Sequence, residues 1–418
     1  MKENRTLEFK REVSDTFLKT VSAFANYTGG DIVFGIDDNG DICGIRDMDG
    51  TCLKIENLIN DLVRPRPDYT LFPENSKGII TLTVRKGAYT PYMYRNRAYK
   101  RNDTSSVEVD SLELKRLILS GENRTFEELV SADQNLEFFY LEKKFRDRLM
   151  LDSFSMDTLK TLGLYTNGKG FSNAAAILSD QNDFPGIDIV RFGRTINIIL
   201  DRESFKGMSA LEMYDKTVGI FEKYYSYEEI DGMSREERFI VPKDAFREAL
   251  ANALAHRTWD MDANIRISMF DDRIEIRSPG GLPPGITEKE YLEGQVSVFR
   301  NPVIGNVFYR LGMIESFGTG ILRIKDAYRD GPGKPAFNVY DNSIYVMLPV
   351  KDRVTAMSTD EETIYETIGK GRILMSSQIA GATGFSKGKT IQLLHSLQEK
   401  DLIKASGNGR GTKYSQNS

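Results

Sequence analysis

The stretch Arg247-Glu248-Ala249-Leu250-Ala251-Asn252-Ala253-Leu254-Ala255-His256-Arg257 decides how this chain is read. Glu248, Asn252 and His256 stand at i, i+4 and i+8, so on a helix all three share one face. A carboxylate so placed can activate water, and an amide oxygen one turn on can ligate magnesium. Downstream, Ile276-Arg277-Ser278-Pro279-Gly280-Gly281-Leu282-Pro283 is a turn with little side-chain bulk. Later, Glu315-Ser316-Phe317-Gly318-Thr319-Gly320-Ile321 opens a helix with glycine-flanked N–H groups suited to cradling phosphate. Singly, these are a polar helix stripe and ordinary turns. Together and in this order they point to a nucleotide site.

Working outward, Pro242 is expected to open a helix through Ala255. Strands at Asn264–Phe270 and Arg273–Arg277 follow, then a Gly/Pro-rich loop, two helices and a hairpin turning at Asp341-Asn342. Lys351–Glu362 is polar and suits a linker. The segment before the helix, residues 122–235, carries no obvious chemistry. Helices are expected there at Glu127–Val130, Leu136–Phe145 and Met156–Leu162, and strands at Ile187–Arg191 and Thr195–Leu200. It reads mainly as a connecting region.

The order of a Glu-xxx-Asn helix, a strand pair, a Gly-rich turn, a long loop and a Gly-x-Gly helix start resembles the GHKL ATPase fold. More closely, Arg247–Arg257, Ser278–Pro283, Arg300-Asn301-Pro302 and Gly318-Thr319-Gly320 resemble the GHKL-type domain of bacterial "RecG-related" ATP-binding regulators. The resemblance implies ATP and Mg2+ as ligands. Glu248 would match the water-activating base and Asn252 the magnesium ligand, with His256 beside them. Gly280 and Gly281 would match the adenine loop, and Gly318, Thr319 and Gly320 the phosphate loop. Two departures stand out: Ser278 replaces the aspartate that reads the adenine amino group, and Ala255 replaces the aspartate three residues after the Asn.

Residues 1–120 alternate helical and strand patterns. Phe17, Val21, Phe24 and Ala25 recur at helical spacing, Thr28-Gly29-Gly30 stops that helix, and Asp31–Ile36 follows as a strand. Asp38-Asn39-Gly40 is a hairpin-turn signal leading into a second strand, Asp41–Ile45. Strands are also expected at Gly78–Val84 and Ala98–Arg101. Leu7-Glu8-Phe9-Lys10, Lys19–Gly30, Phe34–Gly40 and Gly44-Ile45 resemble the Schlafen AlbA-type domain, whose members are regarded as nucleic-acid binders. Some relatives cut RNA with clustered acids, and Glu3, Glu8 and Asp37 are the candidates for such a cluster. The plainer alternative is that Glu8 pairs with Lys10 and Asp37 serves its turn. Between Arg85 and Arg101 lie six basic residues and no acidic one: Arg85, Lys86, Arg95, Arg97, Lys100 and Arg101. Tyr89, Tyr92, Tyr94 and Tyr99 are interleaved. Cations beside stacking rings suit a nucleic-acid surface; a solvated strand edge with core tyrosines fits the same pattern.

Residues 362–418 suggest three short helices and a Gly-rich hairpin. Ser377–Ala380 and Ser386–Gln398 around a Gly-containing turn resemble a helix-turn-helix, and the hairpin through Gly407–Gly411 resembles a wing. From Thr359 to Ser418 eight basic residues face six acidic ones, a surplus of +2 on a chain of −5. Lys387, Lys389 and Arg410 are the candidate DNA contacts; a dimerisation module is the alternative. Gly384–Thr390 imitates a phosphate-binding P-loop but is one residue short, with Thr383 where its first glycine belongs.

Length and composition close the bracket. The chain has 418 residues, 40% hydrophobic and 28% charged, which excludes a fibrous or wholly disordered protein. No run reaches the roughly 20 apolar residues of a membrane span, and the charged start MKENRTLEFKREV lacks a secretory h-region. Two cysteines and two histidines argue against a structural zinc site and for a reducing cytoplasm. The expected architecture is α+β and multidomain. It has an AlbA-like α/β domain (1–120), a connecting region (121–238), a GHKL (Bergerat-type) α/β sandwich (239–350), a linker (351–361) and a winged helix-turn-helix (362–418). Three functions compete. One is a cytoplasmic, homo-oligomeric regulator that binds DNA or RNA and is gated by ATP, at most a weak ATPase and not a helicase. The others are a metal-dependent nuclease and a nucleotide-independent scaffold.

Overall fold

The computed structural model describes residues 2–150, 154–193, 195–231, 234–283, 286–294, 298–314, 318–329, 333–350, 357–369, 371–400, 402–407 and 411–417. Glu315, Ser316 and Phe317 of the Gly-x-Gly motif, part of the expected linker, and Arg410 lie outside the described residues. The chain is a mixed α/β protein that divides into two compact units, Met1–Leu129 and Val130–Ser418.

The first unit is built around the helix Phe17–Asn26, nine of whose ten residues are buried. Buried on all sides, it packs against strands of two sheets rather than one. One sheet has the order Leu7–Lys10, Gly30–Phe34, Ile79–Val84, Tyr69–Glu74, its first pair parallel and the rest antiparallel. The other runs Val63–Arg64, Met93–Tyr94, Arg97–Asn102, Ser105–Glu108. Phe24, Ile32, Phe34, Ile80 and Leu82 fill the core between helix and sheet. Gly29 ends the helix at φ +75°, its N–H donating to Phe24 O at 2.9 Å; a side chain there would also meet Val84 O at 2.8 Å. The expected second strand at 41–45 is instead a crossing loop. The Asp37 carboxylate accepts the N–H groups of Asn39 and Asp41 at 3.0 and 2.9 Å. Pairing there is limited to one antiparallel bridge, Ile36 with Ile42, framed by Asp37 N–H to Asp41 O and Cys43 N–H to Gly35 O; Gly44 shares Gly35 O and Ile45 N–H turns away to Gly78 O.

The second unit centres on a six-stranded sheet ordered Ile199–Phe205, Ile187–Phe192, Ile265–Met269, Arg273–Pro279, Ser343–Pro349, Ala336–Tyr340. Only Ile187–Phe192 and Ile265–Met269 pair in parallel. The sheet thus reaches back to residue 187, into the stretch that the sequence presents as a connection. Helix Lys243–His256 lies on the strands Arg273–Pro279 and Ser343–Pro349, and helices Ala210–Tyr225, Pro302–Arg310 and Gly320–Ala327 pack on that helix. Alanines 245, 249, 251, 253 and 255 let these neighbours approach closely, and Phe246 stacks on Phe221 at 4.2 Å. Three local expectations shift. Glu127–Val130 is not an α-helix but a single 3-10 turn, Phe126–Glu128, held by a Thr125/Glu128 capping box. The strand expected at Thr195–Leu200 begins at Ile199, because Ile198 N–H closes a turn onto Thr195 O. A third helix, Glu288–Glu293, sits in the long loop, started by a Thr287/Glu290 capping box.

In the tail, helices Thr359–Ile368, Ser376–Thr383 and Lys387–Glu399 enclose Ile364, Ile368, Ile379, Leu394 and Leu397. A three-stranded sheet, Leu374–Met375, Lys413–Gln416, Ile403–Ser406, closes that core. Among the described residues no helix is long and apolar enough to cross a membrane.

Candidate functional site

A cavity with about 950 Å³ of empty space, including its open mouth, lies between helix Lys243–His256 and a wall that includes Leu282, Pro283, Tyr291, Phe299, Gly318 and Gly320. Glu248, Asn252, His256, Ser278, Gly318 and Gly320 all line it, although they are spread over 73 positions of sequence. The spacing of four does what helical geometry requires, setting the first three along one wall. Most of the remaining lining is apolar, including Ile276, Leu282, Tyr291, Phe299 and Ile344, which suits a flat aromatic ligand held against a polar edge. Gly280, Gly281 and Thr319 are not in the lining. Gly280 instead makes the turn at φ +103°, where a side chain would strike Thr258 Oγ1 at 2.1 Å. Thr319 precedes helix Gly320–Ala327, accepting Arg323 N–H at 2.8 Å.

Asn252 Nδ2 donates to Glu248 Oε1 at 3.1 Å, leaving Asn252 Oδ1 as the amide oxygen able to meet a cation. Gly320 is tight against both groups: an added Cβ would stand 2.6 Å from Asn252 Nδ2 and 2.6 Å from Glu248 Oε1. Ser278 is buried, and its hydroxyl donates to Ala253 O at 2.9 Å. With its proton so engaged, it can offer the cavity only lone pairs. His256 stacks on Phe299 at 5.2 Å, the rings inclined by 15°. Burial first, and the Arg300 charge second, push its pKa down to about 4, so the imidazole is neutral at pH 7. The helix end is anchored by the wholly buried Arg257, which donates to Pro185 O, Gly186 O and Ala263 O.

In the first unit the structure sorts the basic stretch. Tyr92, Tyr94 and Tyr99 are buried and only Tyr89 is exposed, so Tyr92 is corrected from a stacking surface to a core residue. Its backbone is clamped by Asn26, which accepts Tyr92 N–H at 2.7 Å and donates to Tyr92 O at 2.9 Å. Arg101 is likewise corrected: its side chain is 6% exposed and its guanidinium donates to Glu8. Arg85 pairs with Asp68, Arg95 with Asp15 and Arg97 with Glu108, all exposed, whereas Lys100 pairs with the less exposed Glu113. Lys86 is exposed.

Glu3, Glu8 and Asp37 do not converge. Glu3 accepts Phe9 N–H, and Glu8 is held by Lys10, Thr20 and Arg101. Asp37 caps its turn. Among the described residues no three His, Cys, Asp or Glu side chains gather as a metal site. In the tail, Lys387 is exposed on the first turn of its helix. Lys389 pairs with Asp360 at 2.7 Å and lies over the Phe385 ring.

With this geometry in place, the comparisons with known proteins divide along the same units. Residues 3–110 match the family model Schlafen, AlbA_2. Residues 262–348 match the family model described as putative ATP-dependent DNA helicase recG C-terminal. This second match begins after helix Lys243–His256, so it includes Ser278, Gly280, Gly281, Gly318, Thr319 and Gly320 but not Glu248, Asn252 or His256. No curated protein matches the chain. Among solved structures, the DIP2311 protein from Corynebacterium diphtheriae is similar over 99% of this chain and 92% of its own, at 19% identity and a TM-score of 0.48. The N-terminal domain of a putative ATP-dependent DNA helicase RecG-related protein from Nitrosomonas europaea covers 27% of this chain and 84% of its own, at 20% identity and a TM-score of 0.21. The two family matches mark a protein related to nucleic-acid and ATPase-like families.

Several lining residues carry no signal in the sequence. Tyr291 and Phe299 come from the long loop, where no periodicity marks an inward side chain. Ile321 and Ile324 follow the Gly-x-Gly start with ordinary helical spacing, indistinguishable from core positions.

Proposed function

We propose that this protein binds ATP and nucleic acid, and that nucleotide in the Glu248–Asn252 cavity gates nucleic-acid binding or assembly, as in a transcriptional regulator. The observation that carries this reading is the convergence of Glu248, Asn252, His256, Ser278, Gly318 and Gly320 on one largely apolar cavity. The recG C-terminal match over residues 262–348 supports it, as does the Schlafen, AlbA_2 match for the nucleic-acid half.

In this reading the six-stranded sheet with its helix layer is a GHKL (Bergerat-type) sandwich, and residues 362–418 are a winged helix. The boundaries at 120, 350 and 361 separate its working parts, whereas 238 falls within the unit whose main sheet already includes Ile187–Phe192 and Ile199–Phe205. The base lies in the apolar slot. Ser278, its proton committed to Ala253 O, accepts from the exocyclic amino group of adenine and has nothing to donate to the O6 of guanine. The phosphates face the start of helix Gly320–Ala327, where Gly318 and Gly320 keep the backbone open. Asn252 Oδ1 is the side-chain oxygen that would hold Mg2+, which would supply charge to offset the phosphates. Glu248, tethered through Asn252 Nδ2, is the group positioned to orient water and take its proton.

DNA, or RNA, is held by the exposed cations Arg85, Lys86, Arg95 and Arg97 and by Lys387 of the tail, in a cytoplasmic homo-oligomer. The deciding experiment measures ATP affinity with and without a DNA duplex, and duplex affinity with and without ATP, on one sample. Mutual dependence of the two constants is the expected result. ATP affinity without any effect on nucleic acid would remove the gating, and no ATP affinity would favour the scaffold.

A further inference from the structure

Arg300-Asn301-Pro302 has no assigned part in the cavity, yet it touches both walls. Asn301, buried, donates from Nδ2 to Ala255 O and Arg257 O, both at 2.8 Å, and so pins the helix end that carries His256. Pro302 starts the next helix, whose Gly305 N–H returns to Asn301 O at 2.8 Å. Arg300 reaches the opposite wall, its Nη2 donating to Gly281 O at 2.7 Å. Phe299 lines the cavity and stacks on His256, and its ring is so close to Gly305 that a Cβ there would stand 2.8 Å from it. Phe299 therefore forms part of one wall, and the residues after it tie that wall to the helix end and to the glycine turn.

We propose that Arg300 is a positioning residue for the nucleotide base. By holding Gly281 O it fixes the turn that carries Leu282 and Pro283 into the lining, at the spacing from Phe299 and His256 that admits a flat ring. The proposal rests on the nucleotide reading above and goes beyond it, because Arg300 itself does not line the cavity. A guanidinium-to-carbonyl bond is charge-assisted and directional, so a shorter side chain cannot reproduce it by mere bulk. Asn301, in contrast, satisfies two buried carbonyls and serves the fold.

The test compares adenosine and ADP affinity in the unmutated chain, Arg300→Ala, Arg300→Lys and Asn252→Ala by calorimetry, with melting temperatures recorded without ligand. Arg300→Ala should weaken adenosine and ADP by the same factor, roughly tenfold, with Arg300→Lys recovering part of it. Asn252→Ala should weaken ADP in magnesium and leave adenosine untouched. The melting temperature of Arg300→Lys should stay within a few degrees of the unmutated chain. Unchanged adenosine affinity in Arg300→Ala overturns the positioning role while leaving the nucleotide reading intact. So does a loss confined to ADP. Absence of adenosine and ADP binding in the unmutated chain overturns both.

Discussion

Asn252 gives its amide N–H to Glu248 across one helical turn, at 3.1 Å, and that bond decides which atom each residue presents to the cavity. The amide oxygen is left for a cation, and the carboxylate is held beside it. Asn252→Ala should therefore abolish the magnesium-dependent part of ATP affinity. Glu248→Ala should retain binding and remove any hydrolysis, whose ordinary contribution from a general base is roughly 10²–10⁴-fold. Calorimetry in magnesium and in a chelator, with a phosphate-release assay beside it, checks both. Equal ATP affinity with and without magnesium would remove Asn252 from the metal role.

The same pair makes Gly320 a steric sentinel. Gly to Ala inside an ordinary helix stabilises by up to about 1 kcal/mol, so on helix propensity alone Gly320→Ala is harmless. Its Cβ, however, would lie 2.6 Å from both Asn252 Nδ2 and Glu248 Oε1, and both must move. The expected outcome is a folded protein with at least tenfold weaker ATP binding, about 1.4 kcal/mol. A circular-dichroism melt paired with calorimetry separates that result from unfolding.

His256 supplies a pH signature. Its folded pKa, about 4, lies below the ordinary 6.5 because burial and the Arg300 charge disfavour the imidazolium. Between those values the unfolded chain binds a proton that the folded chain does not, so folded stability falls as pH drops from 6.5 towards 4. The loss is at most about 3 kcal/mol by pH 4. Denaturant unfolding at pH 7 and pH 4.5 should show it, and His256→Gln should remove this share. With only two histidines in the chain, ring-proton NMR can follow the titration directly. A His256 midpoint near 6.5 would contradict the neutral ring.

The tail prediction follows from its own core of Ile364, Ile368, Ile379, Leu394 and Leu397. Deleting residues after Ala356 should cut DNA affinity and leave the melting of the remainder in place. Within the tail, Lys387→Ala should reduce the salt dependence of duplex binding by about 0.9 in log–log slope, the weight of one phosphate contact. Lys389→Ala should do less, because Asp360 already holds that ammonium. Fluorescence anisotropy over a salt series checks the pair. Unchanged binding by the shortened chain would reassign the tail to contacts between copies.

What was legible in the sequence divides by physical range. The face shared by Glu248, Asn252 and His256 follows from local helical geometry, and all three line the cavity. The tail's helices announce themselves through Ser386 and Gly384, a cap and a left-handed stop. Tyr92 and Arg101 were misplaced because charge and aromatic content say nothing about which side of a strand meets the core. Only long-range partners settle that, Asn26 for one and Glu8 for the other. The strand Ile187–Phe192 is legible as a strand, whereas Ile199–Phe205 shares only Ile199 and Leu200 with the strand expected at Thr195–Leu200. Their membership of the main sheet depends on pairing of Ile187–Arg191 with Ile265–Met269, 78 residues further on, which no local pattern encodes.

Glu8 is where this distinction matters for experiment. Its carboxylate, 5% exposed, accepts from Thr20 Oγ1 at 2.6 Å, pairs with Lys10 Nζ at 2.6 Å and receives the Arg101 guanidinium. Removing the carboxylate leaves Arg101 buried without its counter-charge, a change that typically costs about 3–5 kcal/mol. Glu8→Ala should therefore destabilise the Schlafen, AlbA_2 region, and loss of any activity in that variant would not identify a catalytic acid. The informative comparison is between exposed and buried cations. Lys86→Ala and Arg95→Ala should each weaken RNA or single-stranded DNA binding and lower the salt slope by about 0.7, with melting unchanged. Arg101→Ala should lower the melting temperature first. Incubation of the unmutated chain with labelled RNA in magnesium and in manganese should show binding without cleavage. Cuts that persist in Lys86→Ala but vanish in Asp37→Asn, a substitution at an exposed turn, would restore the acidic residues to a catalytic role.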